Sequence, residues 1–323
     1  MIRLTQVAAL DQLQDRIEEQ LTDLLTTALD NLPKARRFDE VLEAVRLRTA
    51  HRLYTREGVE AALAPVFGAI ALAFVEAGTT AAAAQPRLTK AADIYFDPTS
   101  EETQSYVEEA AAAILLALML DAEEAIVTTM RRGLTRNWTE RKIAHALRQN
   151  LGLTPKMVAA VENYRASLEG NSRMALAPRL RDPRGDGPVA RAVDTGAPLP
   201  QRQIDSLVSR YASRMRAHRA RLIARTVTTR IINQAQKALM DAQVRRGLVD
   251  AASIRRYWHT RRDERVRHSH RLIPGMNERG VGPDEPFQTP LGPLRYPGDP
   301  LGIASNVLNC RCRVRYGVVE EQA

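Results

Sequence analysis

The 323-residue sequence predicts an α+β protein that is mostly helical over its first two-thirds. Apolar residues recur at helical spacing over most of residues 1–247, and the last part of that stretch, residues 201–247, is strongly basic. Residues 273–302 hold 7 Pro and 6 Gly, so no regular helix is expected there. Short strands are predicted on either side, over residues 253–259 and 311–319. The fold class is therefore a helical front, a long basic helix and a small, loop-rich α+β module at the C-terminal end.

The first predicted domain, residues 1–132, is helical. Leucine and isoleucine at i, i+3 and i+4 spacing predict a first helix, and two more are expected over residues 39–54 and 59–76. The strongest prediction is a helix over residues 101–132. Ser100 is its expected N-cap, glutamates lie in its first turn and arginines in its last.

No stretch of the chain is expected to cross a membrane. The longest apolar runs are residues 61–75, interrupted by Pro65 and Gly68, and residues 110–120. A spanning helix needs about 20 apolar residues. Aspartates within the first 15 residues interrupt any signal-peptide core, so we expect a protein kept in a cytosol, without a membrane partner.

Residues 133–170 are predicted to form a pair of short helices, over residues 139–149 and 154–168. Thr154 is an expected N-cap and Pro155 suits the first helical position. The outline is that of a helix–turn–helix, which leaves a sequence-specific DNA-binding regulator as one hypothesis.

Residues 171–200 are predicted to be a Pro/Gly linker and a mobile segment. Five prolines alternate with three glycines among charged residues, and there is little periodic apolar pattern. The next predicted domain, residues 201–323, joins the basic helix to the C-terminal module.

The basic helix carries as much net charge as the whole chain. Between Arg202 and Arg246 there are 11 Lys or Arg and two acids, a balance of +9. Its apolar residues still follow helical spacing, so one face is buried and the other is cationic. That face is either simply solvated or contacts DNA phosphates or an acidic partner. The residues expected to make such contacts are Arg214, Arg216, Arg219, Arg221, Arg265 and Arg267.

The C-terminal module concentrates side chains that bind metals. The two cysteines, Cys310 and Cys312, would face the same side of an extended segment, as would His268 and His270 if theirs is extended. These four side chains could build a Cys2His2 zinc site, which would staple a module with little apolar core. Alternatively, the thiols are small buried apolar groups and one histidine is a structural hydrogen bonder.

An enzymatic hypothesis rests on the same module. Arg265, Arg267, His268 and His270 with Asp263 could form an acid–base and phosphate-binding cluster, as in a nuclease. The sequence has no paired carboxylates at a two-metal spacing, no G-x-S-x-G, no Gly-rich phosphate loop and no H-E-x-x-H. We therefore predict a protein that is not an enzyme.

One ordered set of residues spans about 60 positions of the module. It comprises Trp258, Asp263, Arg265, Val266, Arg267, His270, Gly275, Phe287, Tyr296, Pro297, Gly298, Asp299, Pro300, Asn309, Cys310, Arg311 and Cys312. This order resembles the phage Mu F-like domain of phage minor head, or head morphogenesis, proteins. The helix positions Ile223 to Thr226 and Asn233 extend the resemblance upstream. Further upstream it continues through Leu153, Thr154, Pro155, Asn163, Tyr164 and Arg165, so that it spans about residues 135–316.

The resemblance implies a minor structural protein of a tailed-phage or prophage head, with a non-catalytic role in head assembly, DNA packaging or ejection. Expected partners are the portal protein, the major capsid or scaffold protein, and nucleic acid bound without sequence preference. Residues 1–132 would dock on the portal or shell. The expected location is the virion, inside the head near the portal, and the host cytoplasm during assembly. A nuclease or toxin-like enzyme delivered by the particle is the alternative.

The resemblance also implies roles for particular residues. His270, Cys310 and Cys312 belong to the family's pattern, so a zinc site would rest first on these three, with Asp263 or His268 as the fourth ligand. The positions expected to form the structural motif are Trp258, Pro297, Gly298, Asp299, Pro300 and Asn309.

Overall fold

A computed structural model of the chain describes residues 2–4, 8–84 and 95–319. Its helices are α1 (Ala8–Asn31), α2 (Phe38–Arg46), α3 (Arg56–Ala84), α4 (Glu101–Thr135), α5 (Glu140–Asn150), α6 (Pro155–Glu169), α7 (Asp186–Thr195), α8 (Gln201–Arg245), α9 (His268–Met276) and α10 (Ala304–Val307). Its strands are β1 (Ile2–Leu4), β2 (Ile254–His259) and β3 (Arg313–Val319). The α+β prediction is confirmed. The parts of the predicted domains at residues 1, 5–7, 85–94 and 320–323 lie outside the described residues.

Ser100 and Thr154 are N-caps as predicted, and Thr139, predicted as the first residue of its helix, is a third N-cap. The hydroxyl of Ser100 accepts a hydrogen bond from the Thr103 amide ahead of α4 (3.3 Å). Thr139 caps α5 and Thr154 caps α6 in the same way, each accepting from an amide three residues on. An oxygen side chain placed just before an apolar periodic run satisfies an amide that the helix cannot.

The segment predicted as a mobile Pro/Gly linker is folded. Residues 171–200 contain α7 and two single-turn helices, and Val189 of α7 lies in an apolar core with Ala175. The prolines here begin turns and helices rather than an extended linker. Asp182 caps the turn that starts at Pro183, since its carboxylate accepts from the Arg184 amide.

Two further expectations are corrected by helices that continue through proline. α9 covers residues 268–276 with Pro274 inside it, although no regular helix is expected over residues 273–302. Pro65 lies inside α3, and the helical stretch Ala50–Ala84 has the length and composition to cross a membrane, with a mean hydropathy of 2.0. Such a stretch is weak evidence for a membrane span, because a core helix of a soluble protein has the same composition. Of its most apolar window, 39% is buried.

The chain divides into two compact units, and each draws on distant stretches of sequence. The helical unit comprises residues 23–65 and 113–220. Its two apolar cores include Leu153, Val158 and Leu207 in one, and Val41 and Leu147 in the other. The predicted domains were consecutive segments, whereas these units interleave.

The sheet unit comprises residues 1–22, 66–112 and 221–323. Its antiparallel sheet has the order β1-β3-β2, with Ile254 opposite Val318 and His259 opposite Arg313. The strands predicted on either side of the Pro/Gly-rich segment are β2 and β3. Alternate residues of β2 are buried, and its Trp258 lies in the core of the C-terminal module. The metal-binding side chains lie against this core.

Candidate metal centre

His270, Cys310 and Cys312 form one buried cluster. The ligand atoms of the three side chains all lie within 4.8 Å of one another. His270 Nδ1 is 3.5 Å from Cys310 Sγ and 3.6 Å from Cys312 Sγ. Three of the five predicted metal-binding residues are therefore brought together, and a metal ion could be held between them.

Local backbone geometry explains why both sulfurs face the histidine. Asn309 has a φ of 59°, in the left-handed region that asparagine tolerates, and turns the chain just before Cys310. The amide of Cys312 then donates to Cys310 Sγ (3.3 Å), which keeps the two cysteines on one side. The expectation that they share a face is met.

The other two predicted ligands lie outside the cluster. His268 is exposed at the start of α9, and residues two apart on a helix point in nearly opposite directions, so the extended geometry assumed for His268 and His270 is wrong. Asp263 instead accepts a hydrogen bond from Arg311 Nη2 (2.6 Å). Burial would raise the pKa of Asp263, but that arginine lowers it. Among the described residues, no other His, Cys, Asp or Glu joins the three.

The orientation of His270 is fixed by its second ring nitrogen. Nε2 lies 2.9 Å from the carbonyl oxygen of Asn306 and 3.1 Å from its Oδ1. A carbonyl only accepts, so Nε2 carries the proton that it donates, and Nδ1 faces the sulfurs. The indole of Trp258 packs edge-on against the imidazole, at 5.6 Å and 87°. Backbone carbonyls hold metal-binding histidines in this manner.

The three side chains also share charge. Burial lowers the pKa of His270, but the hydrogen bond and charge of Cys310 outweigh it and raise that pKa. Hydrogen bonds from Cys312 and His270 hold the pKa of Cys310 well below its usual value. The pKa of Cys312 is raised, because its thiol donates to Cys310 and is buried. The lowered pKa of Cys310 favours its thiolate form, which is the form that binds metals.

The two nitrogen–sulfur distances of the cluster match those of a tetrahedral zinc site. Bonds of about 2.3 Å to sulfur and about 2.05 Å to nitrogen separate the two ligand atoms by about 3.6 Å. The two nitrogen–sulfur distances are 3.5 and 3.6 Å. The adjoining cavity has a volume of about 20 Å³, which is room for one ion or one water molecule. The residues present fit zinc.

The predicted structural motif anchors its loops to α8. Gly298 has a φ of 85° and its carbonyl accepts from Arg230 Nε (2.8 Å). The carbonyl of Pro297 accepts from Asn233 Nδ2 (3.1 Å). Asp299 is buried and accepts from the amides of residues 295 and 301. The turn at residues 296–300 is therefore held both by its own carboxylate and by the helix.

The turn at the cysteines is attached to the same helix. Asn309 Oδ1 accepts from Arg225 (2.7 Å), and its amide donates to Thr226 Oγ1 (3.1 Å). Pro300 is exposed, so it ends the preceding turn without packing in the core. The Arg-Thr pair of α8 thus holds the turn that presents Cys310.

Sequence reasoning missed two residues that support the cluster. Thr229 Oγ1 donates to the carbonyl of Cys310 (2.6 Å), and Asn306 accepts from His270. The amide of Asn306 is in turn bound to Thr289 Oγ1 (3.0 Å). Threonine and asparagine carry no metal-ligand signal. The available clue was that Thr229 lies one helical turn after the Arg-Thr pair.

The predicted cationic face of α8 is only partly a free surface. Arg216 is buried and its Nε donates to Asp30 (2.7 Å), and Arg219 is buried and paired with Asp121. The prediction that these two arginines contact DNA or a partner is therefore wrong, because acids within the helical unit neutralise them. Arg221 is exposed.

The remaining predicted arginines differ in what they contact. Arg214 is half-exposed, and its Nη2 lies 3.5 Å from Asp182. Arg267 donates to the carbonyls of Asn306 and Leu308, so it braces the loop beside the cluster. Arg265 is exposed.

Comparison with known proteins gives one match. The family described as "Phage Mu protein F like protein" matches residues 124–315, which is more than half of the chain and includes the three residues of the metal cluster. No curated protein and no solved structure matches the chain.

Proposed function

Because the chain belongs to the phage Mu protein F-like family, we propose that it is a minor structural protein that helps to assemble a tailed-phage head. The family is one of phage head proteins, so the chain is a phage head-related protein. The finer proposal is a position inside the head near the portal, reached from the host cytoplasm during assembly. The portal protein and the major capsid or scaffold protein are the proposed partners.

The observation that carries a structural role is the buried His270–Cys310–Cys312 cluster. We propose that it binds one zinc ion, which would cross-link α9 to the segment that leads into β3. Zinc supplies such a cross-link without any catalytic step. The cavity beside it has room for only a single ion or water molecule, which supports a non-catalytic role.

A pull-down from cells that produce the native particle tests the head proposal. The tagged full chain is captured and its partners are identified by mass spectrometry, with purified particles analysed in parallel. Portal or major capsid protein in the eluate, and the chain in the particles, is the expected result. Capture of nucleic acid or a host protein alone would contradict it and favour a delivered enzyme.

We further propose that DNA is contacted without sequence preference, through exposed arginines of the sheet unit. Arg221 and Arg265 are the predicted contacts that carry this proposal, because neither makes a side-chain ion pair with another described residue. Phosphate contacts release counterions, so the affinity should fall with salt, and each lost contact should make that dependence shallower.

Charge reversal tests the DNA proposal. Arg221→Glu and Arg265→Glu together should weaken binding to random duplexes and reduce the salt slope. Arg179→Glu and Arg191→Glu together are the matched control, since both arginines are exposed in the helical unit and neither makes a side-chain ion pair with another described residue. Unchanged affinity in the variant that changes Arg221 and Arg265 would show that these two arginines are only solvated. One strongly preferred sequence would favour the regulator hypothesis.

A further inference from the structure

The outer face of α4 carries an apolar stripe. Leu116, Leu120, Val127 and Leu134 are 61%, 58%, 45% and 65% exposed. At 100° per residue, these four positions fall within an arc of about 40° on the helix. We call them the outer stripe. All four lie in the helical unit.

The outer stripe is distinct from the face that α4 buries. Leu118, Ala122 and Ile126 point into the protein and are at most 3% exposed. α4 is thus apolar on two sides, and a helix with this pattern is usually covered on both. Single exposed leucines are ordinary, whereas four aligned ones over five turns mark an interaction surface.

Two unpaired charges flank the outer stripe. Glu124 and Arg131 are exposed, and neither forms an ion pair with another described residue. Neither has an oppositely charged residue three or four positions away on α4. They are seven residues apart, so they share one edge of the stripe without reaching each other.

The outer stripe and its two flanking charges are self-complementary when two copies of α4 pack antiparallel. When two such helices pack antiparallel, residues on the same edge of the two stripes face each other. A twofold axis level with residue 127 places Leu120 opposite Leu134 of the second copy and Val127 opposite Val127. The same axis places Glu124 within one residue of the level of Arg131 of the second copy, and this charge pair occurs twice.

We propose that the outer stripe is a homodimer contact, in which α4 packs antiparallel against α4 of a second copy of this chain. From Leu120 to Leu134 the helix rises about 21 Å. A helix pair of this length lies at the low end of stable interfaces, which bury about 1,200 Å² or more. Glu123 interrupts the stripe near its centre, so the dimer should be reversible and dependent on concentration.

Sedimentation analysis of the full chain over a range of concentrations tests the contact. Leu120→Glu should raise the dimer dissociation constant at least about 30-fold, because a carboxylate enters a packed apolar layer. Leu72→Glu is the matched control, since Leu72 is 71% exposed but lies on α3, and it should leave the dimer unchanged. Both positions are exposed, so both variants should keep the wild-type helix content.

Charge reversal tests the register. Glu124→Arg and Arg131→Glu should each weaken the dimer about tenfold, and the double variant should restore it. A wild-type chain that stays monomeric, a dimer insensitive to these changes, or cross-links showing that the chain's own residues 85–94 cover the stripe would each overturn the proposal. Dimerisation does not require the zinc site, so the two proposals fail separately.

Discussion

The helical unit and the C-terminal module of the sheet unit are stabilised in different ways. The helical unit buries leucine, valine and alanine from several helices, and pairs its buried arginines with acids. In the module, single polar side chains of α8 instead form hydrogen bonds to long loops. Three metal-binding side chains cluster at the turn that precedes β3. Stability is therefore distributed in the helical unit and concentrated in a few residues of the module. Metal removal should therefore destabilise only the module. Truncation of the helical core should lower the free energy of unfolding of the chain without releasing the metal.

The largest expected effect is loss of the metal. Cys312→Ala removes one of two sulfur ligands, so the zinc content should fall from about one per chain to near zero. Metal analysis of the purified full chain measures this. Ser269→Ala, adjacent to a ligand but outside the cluster, should keep its zinc. A Cys312→Ala chain with full zinc content would contradict the assignment.

A core truncation in the helical unit should show the opposite pattern. Leu153 is fully buried, and Leu153→Ala should lower the free energy of unfolding by about 2–5 kcal/mol. Zinc content should stay unchanged. Denaturant unfolding measures the loss, with Leu153→Met as a control expected to cost less than about 1.5 kcal/mol. Zinc loss in Leu153→Ala would show that the two regions do not respond separately.

The sequence predicted the helices better than the contacts between distant segments. The predicted helices over residues 139–149 and 154–168 lie within one residue of α5 and α6, because helix start signals such as the Thr154 cap and Pro155 are local. The burial of Arg216 depends on Asp30, which is 186 positions away, and no local pattern indicates that pair. Composition predicted a linker at residues 171–200, because prolines that start turns look the same in sequence as prolines in an extended segment.

The candidate site could be predicted only in part, because residue type is visible in the sequence and contacts between distant segments are not. Cysteine and histidine are rare and chemically distinctive, so Cys310, Cys312 and His270 could be identified from the sequence. The exclusion of His268 required knowing that its segment is helical. Asn306 supports the site through its backbone carbonyl as well as its side chain, and a carbonyl contact leaves no trace in residue type.

A smaller effect should follow from removing a hydrogen-bond partner of His270. Asn306→Ala removes the side-chain oxygen near His270 Nε2 but keeps the backbone carbonyl. Zinc affinity should fall about tenfold, the lower end of the range for such supporting contacts. Competition with a chelator measures it. Ser305→Ala, one residue earlier and exposed, is the control, and equal affinities in the two variants would contradict this role.

The smallest effect concerns acid stability in the helical unit. Hydrogen bonds from Arg184 and Arg210 lower the pKa of Asp182. A carboxyl whose pKa is depressed by folding stabilises the protein above its ordinary pKa of about 4, and that contribution is lost as the pH falls towards the folded value. Unfolding free energies measured from about pH 6 to about pH 3 should therefore fall less steeply in Asp182→Asn than in the wild type. Identical slopes would show that Asp182 does not contribute.

X-ray absorption spectroscopy of the zinc-loaded full chain tests most directly the claim that this module is built around a metal. The account predicts two sulfur ligands at about 2.3 Å, with nitrogen or oxygen at about 2.0–2.1 Å completing the shell. A shell of nitrogen and oxygen alone would mean that the metal binds elsewhere, and that Cys310 and Cys312 are no more than buried thiols.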